Sequence, residues 1–184
     1  MRFIAFALAL LASVVAHATV LQPLDTEALT TRADRVLLGV VESQTAHWTG
    51  DHQAIYTDVV VRVTKSYKGA ATVGEHITVR REGGSVDGVG MRVFGAPNFA
   101  VGEEVLLFME LRGGASYTVG MTQGKLHVSV DASGQKQVAA DLSAVDFIHR
   151  NGKIADAQTV QRAQAPRRLV DVEQQIQSLV RSGR

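Results

Sequence analysis

Outside its first 18 residues the chain holds five histidines, His47, His52, His76, His127 and His149, the side chains best suited to proton transfer and metal ligation near neutral pH. His47 and His52 flank Asp51 in the string HWTGDH, and imidazoles with a carboxylate form a donor set that suits zinc. Their spacing matches no helical ligand pair, so the string reads first as an exposed hairpin loop and second as part of a metal site. His76 and His127 fall on stretches with strand periodicity, outside the apolar face, and are expected at the surface.

Serine chemistry needs a nucleophile and a base on a shaped turn, as in G-x-S-x-G. The nearest string, Gly83-Gly84-Ser85, lacks the following glycine at the right place. Glycines 83, 84, 88, 90 and 95 fit neither a dinucleotide-binding fingerprint nor a phosphate-binding loop, because no GxGxxG opens a helix and no GK[ST] follows. Glu103 and Glu104 are adjacent, and strand neighbours point to opposite faces. They are therefore read as solvated groups at a strand edge and not as a paired acid and base. The chain has no Cys, which removes thiolate nucleophiles, thiolate zinc sites and iron–sulfur clusters. The expectation is a protein that is not an enzyme, with no catalytic residues, no metal and no cofactor.

Recognition is the better use of the remaining residues. Residues 83–102 (GGSVDGVGMRVFGAPNFAVG) hold six of the chain's 17 glycines and Pro97, which argues for an irregular loop. That loop carries Met91, Val93, Phe94, Pro97 and Phe99, large apolar groups that either fold back over the body or stay exposed as a contact patch. Trp48, the only tryptophan, belongs to a residue type enriched at binding hot spots. It either joins that patch or caps one end of the body.

These groups need a frame. Residues 24–34 (LDTEALTTRAD) have an Asp25 or Thr26 cap and apolar residues at helical spacing, which predicts a short helix. Residues 35–43 (RVLLGVVES) and 55–67 (IYTDVVVRVTKSY) read as two long paired strands joined by a polar segment, 44–53. In the second, Thr57, Val59, Val61, Val63 and Lys65 share one face. Residues 76–82 form a third strand and 103–112 a fourth with an apolar centre from Val105 to Met109, where a helix competes. Residues 116–130 supply one or two more, interrupted at Gly120 and Gly124. A short helix is expected at 142–149, a polar connection at 150–164, and an amphipathic helix from Pro166 to about Arg181, with Leu169, Val172, Ile176, Leu179 and Val180 at core spacing. The sum is a mainly β fold, a five-stranded Greek-key barrel of the OB type with a short N-terminal helix and a closing C-terminal helix.

The ends of the chain bear on location and partners. Arg2 precedes an apolar run of about 13 residues and the string Ala16-His17-Ala18, the pattern of a secretory signal peptide over residues 1–18. That run is shorter than the roughly 20 residues of a membrane span. Export to a periplasm or the outside is expected, with Thr19 as the mature first residue. Loss of Arg2 leaves 18 positive and 18 negative side chains, which disfavours general nucleic-acid binding. Residues 149–184 carry seven of the positive and three of the negative charges, a basic tail that reads first as a solvated face and second as a site for an acidic surface. The expected organisation is a leader (1–18), a barrel domain (19–148), and a connection with a helix packed on the barrel (149–184).

Residues 33–40 (ADRVLLGV), 56–69 (YTDVVVRVTKSYKG), 73–79 (VGEHITV), 103–109 and 124–128 (GKLHV) together resemble the N-terminal OB-fold domain of the tissue inhibitors of metalloproteinases and the wider netrin-like family. The resemblance spans residues 30–130 and is strongest at VTKSYKG. It implies a protein-binding module, in its sharpest form an inhibitor or partner of a secreted metalloprotease, engaged through Trp48, the 83–99 loop and the 19–23 arm. Those inhibitors chelate the protease zinc with the amine and carbonyl of an N-terminal Cys tied down by a disulfide. Thr19 keeps an amine and a carbonyl but has no disulfide to hold them. The alternative is a structural or surface-assembly subunit that docks through its C-terminal helix. N-terminal sequencing of the exported form should read Thr19 first, and an exported chain still starting at Met1 refutes cleavage at Ala18.

Overall fold

The computed structural model describes residues 19–143, 145–147 and 165–183. The expected leader and the polar connection at 150–164 lie outside them. The first helix, α1 (Thr26–Arg32), starts where the sequence signals it, with the Asp25 side chain accepting from Ala28 N at 2.8 Å. The Asp34 carboxylate beyond it accepts from Leu111 N at 2.7 Å, tying the helix exit to a strand edge.

Two 14-residue strands, β2 (Arg35–Trp48) and β3 (Ile55–Lys68), form the longest hairpin. The expected polar connection is shorter than its sequence suggests: residues 44–48 continue β2 and only residues 49–54 turn. Pairing with β3 draws them into the sheet although they lack a clear alternation. The turn is closed by the Thr49 hydroxyl, which accepts from Ala54 N at 3.0 Å. Where β2 crosses β3 most closely, Gly39 sits at a register shift. A side chain there would begin 2.5 Å from Val61 Cγ1 and 2.7 Å from the Arg62 carbonyl, so only glycine fits.

The other strands of the main sheet are β4 (His76–Glu82), β7 (Glu104–Arg112), β8 (Ala115–Thr118), β9 (Lys125–Val130), β10 (Lys136–Ala140) and β12 (Arg167–Arg168), and β5 (Gly84–Val86) with β6 (Val89–Met91) forms a separate small hairpin. The main sheet runs β12-β10-β9-β7-β2-β3-β4-β8. It is mixed: β4 meets β8 in parallel at Val79 and Ser116, and β8 returns antiparallel to β7. The pairings of β2, β3, β4, β8 and β7 therefore lead back to the strand from which they start. The competition at 103–112 resolves as strand because β7 is flanked on both edges.

Alternation along β7 divides the core in two. Val105, Leu107 and Met109 join Leu37, Val41, Val59, Val61, Val63, Ile77 and Val79 in one cluster. Leu106 and Phe108 face the other way, into a second cluster with Leu29 of α1 and Leu169, Val172 and Ile176 of α2 (Leu169–Arg181). The C-terminal helix is thus spent on the body of its own chain. Polar groups latch it as well: Glu173 accepts from the Tyr67 hydroxyl and from Lys65 Nζ at 3.1 Å. Burial, and then the Glu173 carboxylate, hold the Tyr67 pKa well above the usual phenol value.

The short helix expected at 142–149 is corrected. Val145–Phe147 is a strand, β11, pairing in parallel with β1 (Thr19–Leu21), while residues 148 and 149 lie outside the described residues. Leu142, Val145 and Phe147 cluster with Leu21 and Ala140, a grouping whose spacing in sequence suits either element. Only the pairing with residues more than a hundred positions away selects the strand.

Ile176 is 0% exposed and Val170, on the same helix, is 41% exposed. Ile176→Ala should therefore lower the unfolding free energy by about 2–4 kcal/mol, and Val170→Ala should stay within about 0.5 kcal/mol. Urea denaturation of the two variants checks this, and equal small losses would show that α2 is not part of the core.

Candidate functional site

The glycine-rich segment is more ordered than its composition suggests. Asp87-Gly88 sits between Val86 and Val89 with both central residues at positive φ, 51° and 79°, a two-residue hairpin turn. The signal was in the sequence: Asp-Gly between two valines is the strongest short-range mark of a hairpin.

That hairpin lies across the far end of β2 and β3. Gly83 N donates to the Ile55 carbonyl at 2.8 Å, and the Thr57 hydroxyl donates to the Gly83 carbonyl at 2.6 Å. A Cβ on Gly84 would stand 2.5 Å from Thr57 Oγ1 and 3.0 Å from Ala46 Cβ, so the close approach requires its absence. Met91 Sδ accepts weakly from Ile55 N at 3.4 Å. Since Ile55 pairs with Trp48, the hairpin and the tryptophan share one end of the molecule.

The segment is then pinned along its return. The Gly95 carbonyl accepts from Thr122 N at 2.9 Å, and the Phe99 carbonyl accepts from Gln44 Nε2 at 2.9 Å. Lys125 Nζ donates to the Asn98 carbonyl at 2.6 Å, pairs with Glu103 at 2.8 Å, and stands 5.1 Å from the Phe99 ring centroid. Glu103 also accepts from Ala100 N at 2.8 Å. The Glu103 and Lys125 side chains are each 10% exposed, so the solvated strand-edge carboxylate expected at Glu103 is a buried ion pair instead. Glu104 turns the other way and pairs with Lys136 at 2.6 Å.

Of the expected contact residues, Pro97 is buried, and Phe99 packs half-buried against the inner cluster. Met91, Val93 and Phe94 line a cleft of about 240 Å3 together with Arg81, Arg92 and Asn98. Phe94 is 39% exposed with the Arg92 guanidinium 5.0 Å from its ring centroid, and Val89 at the hairpin tip is 49% exposed. Trp48 is half-buried and stacks on His52 at 5.7 Å. Both alternatives for the loop thus apply to different residues: part folds back and part faces solvent. Thr19 is placed apart, paired with Val145 in the two-stranded sheet, and does not line the cleft.

Arg81 is the residue that the sequence did not single out. It follows Ile77 and Val79 on the inner face of β4 and stands opposite Thr57. Among the described residues its buried Nε has no hydrogen-bond acceptor, and Nη1 reaches only the Glu82 carbonyl at 3.5 Å. No carboxylate pairs with it among the described residues. Burial pulls its pKa below that of an exposed guanidinium, yet the group stays cationic at neutral pH. A buried donor left unmade costs about 1–3 kcal/mol. A charge breaking an apolar alternation, at the point where a glycine-rich segment begins, was the available signal.

The histidines are engaged in other ways. Asp51 serves the hairpin turn, accepting from the Thr49 hydroxyl at 2.5 Å, and this hydrogen bond lowers its pKa. His47 lies 3.8 Å from Asp58, whose carboxylate takes a bidentate pair from Arg80 at 2.7 and 2.9 Å that holds its pKa below 3.8. His76 and His127 are exposed, on Glu42 and Glu103. His149 lies outside the described residues. Among the described residues no group of three metal-ligating side chains comes together, and no base hydrogen-bonds Ser85. No helix there is long and apolar enough to cross a membrane. No known family model matches the chain, and no curated protein matches it.

Lys125→Met leaves Glu103 charged, buried and without its cation, which should cost about 3–5 kcal/mol. The double variant Lys125→Met/Glu103→Gln should recover part of that loss. Thermal and urea unfolding of the set reads the coupling, and strictly additive losses would show that the pair does not act as a unit.

Proposed function

We propose that the protein is an exported, non-enzymatic protein-binding module built on an OB-type, netrin-like barrel. The circuit β2-β3-β4-β8-β7, antiparallel except at β4 and β8, supports the barrel. One observation carries the binding function: the 83–99 segment is pinned as a platform on the Trp48 end of the body while Val89 and Phe94 stay exposed. Apolar groups held rigidly at a surface lose little conformational freedom on contact, which favours recognition of a partner. The sharpest form is an inhibitor or partner of a secreted metalloprotease. Its support lies in the platform more than in the Thr19 amine, because Thr19 belongs to a strand pair.

The test uses the chain from Thr19 to Arg184, tagged at its C-terminus so that the Thr19 amine stays free. Metalloproteases of the same exported fraction should be captured by it and inhibited at micromolar concentration. Trp48→Ala and Phe94→Ala should each weaken capture by about tenfold or more. Uninhibited proteases sink the inhibitor form, and capture that ignores both substitutions sinks the platform as the contact surface.

A further inference from the structure

We infer that the cleft between β4 and the 91–98 segment is a carboxylate-binding site that takes a glutamate side chain from an extended segment of a protein partner, with Arg81 as its principal ligand. This deepens the platform's role as a protein-contact surface and rests on it. The Arg81 stem continues the inner face below Ile77 and Val79, its side chain lines the cleft, and its Nε is buried without an acceptor among the described residues. Arg92 adds a second positive charge to the lining, and Asn98 a neutral polar group. Among the described residues no Asp or Glu lines the cleft, and Glu82, next to Arg81, alternates to the opposite face of the strand.

The shape of the donors selects the ligand. A guanidinium presents parallel N–H groups that match the two oxygens of a carboxylate. Met91, Val93 and Phe94 form an apolar wall, which suits the methylene stem of a glutamate. The cleft is enclosed on one side by a hairpin that is itself fixed, so the guanidinium meets its ligand partly shielded from water, where a charge-assisted hydrogen bond is strongest. The two arginines are a pair of different kinds: Arg92 lies on the Phe94 ring and supplies field, while the half-buried Arg81 supplies geometry.

The experiment follows the Arg81 Nε–H resonance in isotope-labelled protein, residues 19–184, during titration with acetyl-Ala-Glu-Leu-Glu-Ala-amide. The capped peptide carries no terminal carboxylate, its Gln counterpart removes the charge, and inorganic phosphate forms a third arm. The Glu peptide should shift the resonance saturably with a dissociation constant of about 1 mM or tighter, and the Gln peptide should not. Arg81→Gln should weaken binding by about tenfold, and Arg81→Lys, which keeps the charge without the fork, should also bind more weakly than the parent. Equal shifts from both peptides overturn the proposal, as does phosphate binding as tightly as the Glu peptide. An unchanged affinity in folded Arg81→Gln overturns it too. If Arg81→Gln does not fold, the parent titration alone decides. Glu-peptide binding without any captured protease defeats the inhibitor form and leaves the carboxylate site standing. A protease captured through Trp48 with Arg81 unresponsive to the Glu peptide does the reverse.

Discussion

The centre of β7, Val105 to Met109, has no face toward water, and most of the structure follows from that constraint. Five consecutive side chains, Val105 to Met109, are buried, three toward the inner cluster and two toward the helices. A strand in that position reads as a continuous apolar run and needs partners on both faces and both edges. One edge is taken by β2, and the other is shared between β9 at Val105 to Leu107 and β8 from Met109 onward. The chain therefore has to fold tightly between β8 and β9. It does so through a short 3-10 turn at Met121–Gly124, where Val119 N donates to the Phe108 carbonyl at 2.9 Å. A Cβ on Gly124 would lie 2.7 Å from Val119 N, so no larger residue fits.

Covering the two faces of β7 fixes the roles of the remaining elements. The face with Leu106 and Phe108 is closed by α1 and α2, whose apolar stripes are used up in doing so. The C-terminal helix has its buried side on its own sheet and is further held by Glu173 against Lys65 and Tyr67. The inner face is closed by β3 and β4, and its far end by the 83–99 segment. That segment contributes Phe99 to the core and leaves Phe94 and Val89 at the surface, so one stretch of chain both packs and presents apolar groups to solvent. Its anchors are mostly backbone hydrogen bonds plus the Glu103–Lys125 pair, a combination that needs no regular secondary structure over residues 92–103.

Elements with strong local signals were legible in the sequence. The α1 cap at Asp25, the alternation of β3 and β4, and the amphipathic stripe of α2 at Leu169, Val172 and Ile176 all stand where the residues imply. Residues 44–48 and 145–147 were not legible, because their strand character is imposed by partners distant in the chain and not by their own periodicity. The burial of Glu103 belongs to the same class: a carboxylate beside another carboxylate reads as solvated until Lys125, 22 residues away, meets it. For the candidate site, the apolar groups at 91–99 and Trp48 were visible by type. Arg81 was visible only as an irregularity after Val79, with nothing local to give it meaning.

By itself the sequence determined which stretches extend, which coil and where glycine must stand, since these follow from side-chain branching, capping and φ preferences within a few residues. It also set the absence of thiol chemistry and the near balance of charge. Tertiary structure alone decided that the strand pairings return to their start, that the glycine-rich segment is pinned and not loose, and that Arg81 lines a cleft in which the described residues place no carboxylate. The physical reason is that each of these depends on groups brought together from separate parts of the chain. Burial, close approach and an unanswered hydrogen-bond donor are properties of neighbours in space, which local periodicity does not encode.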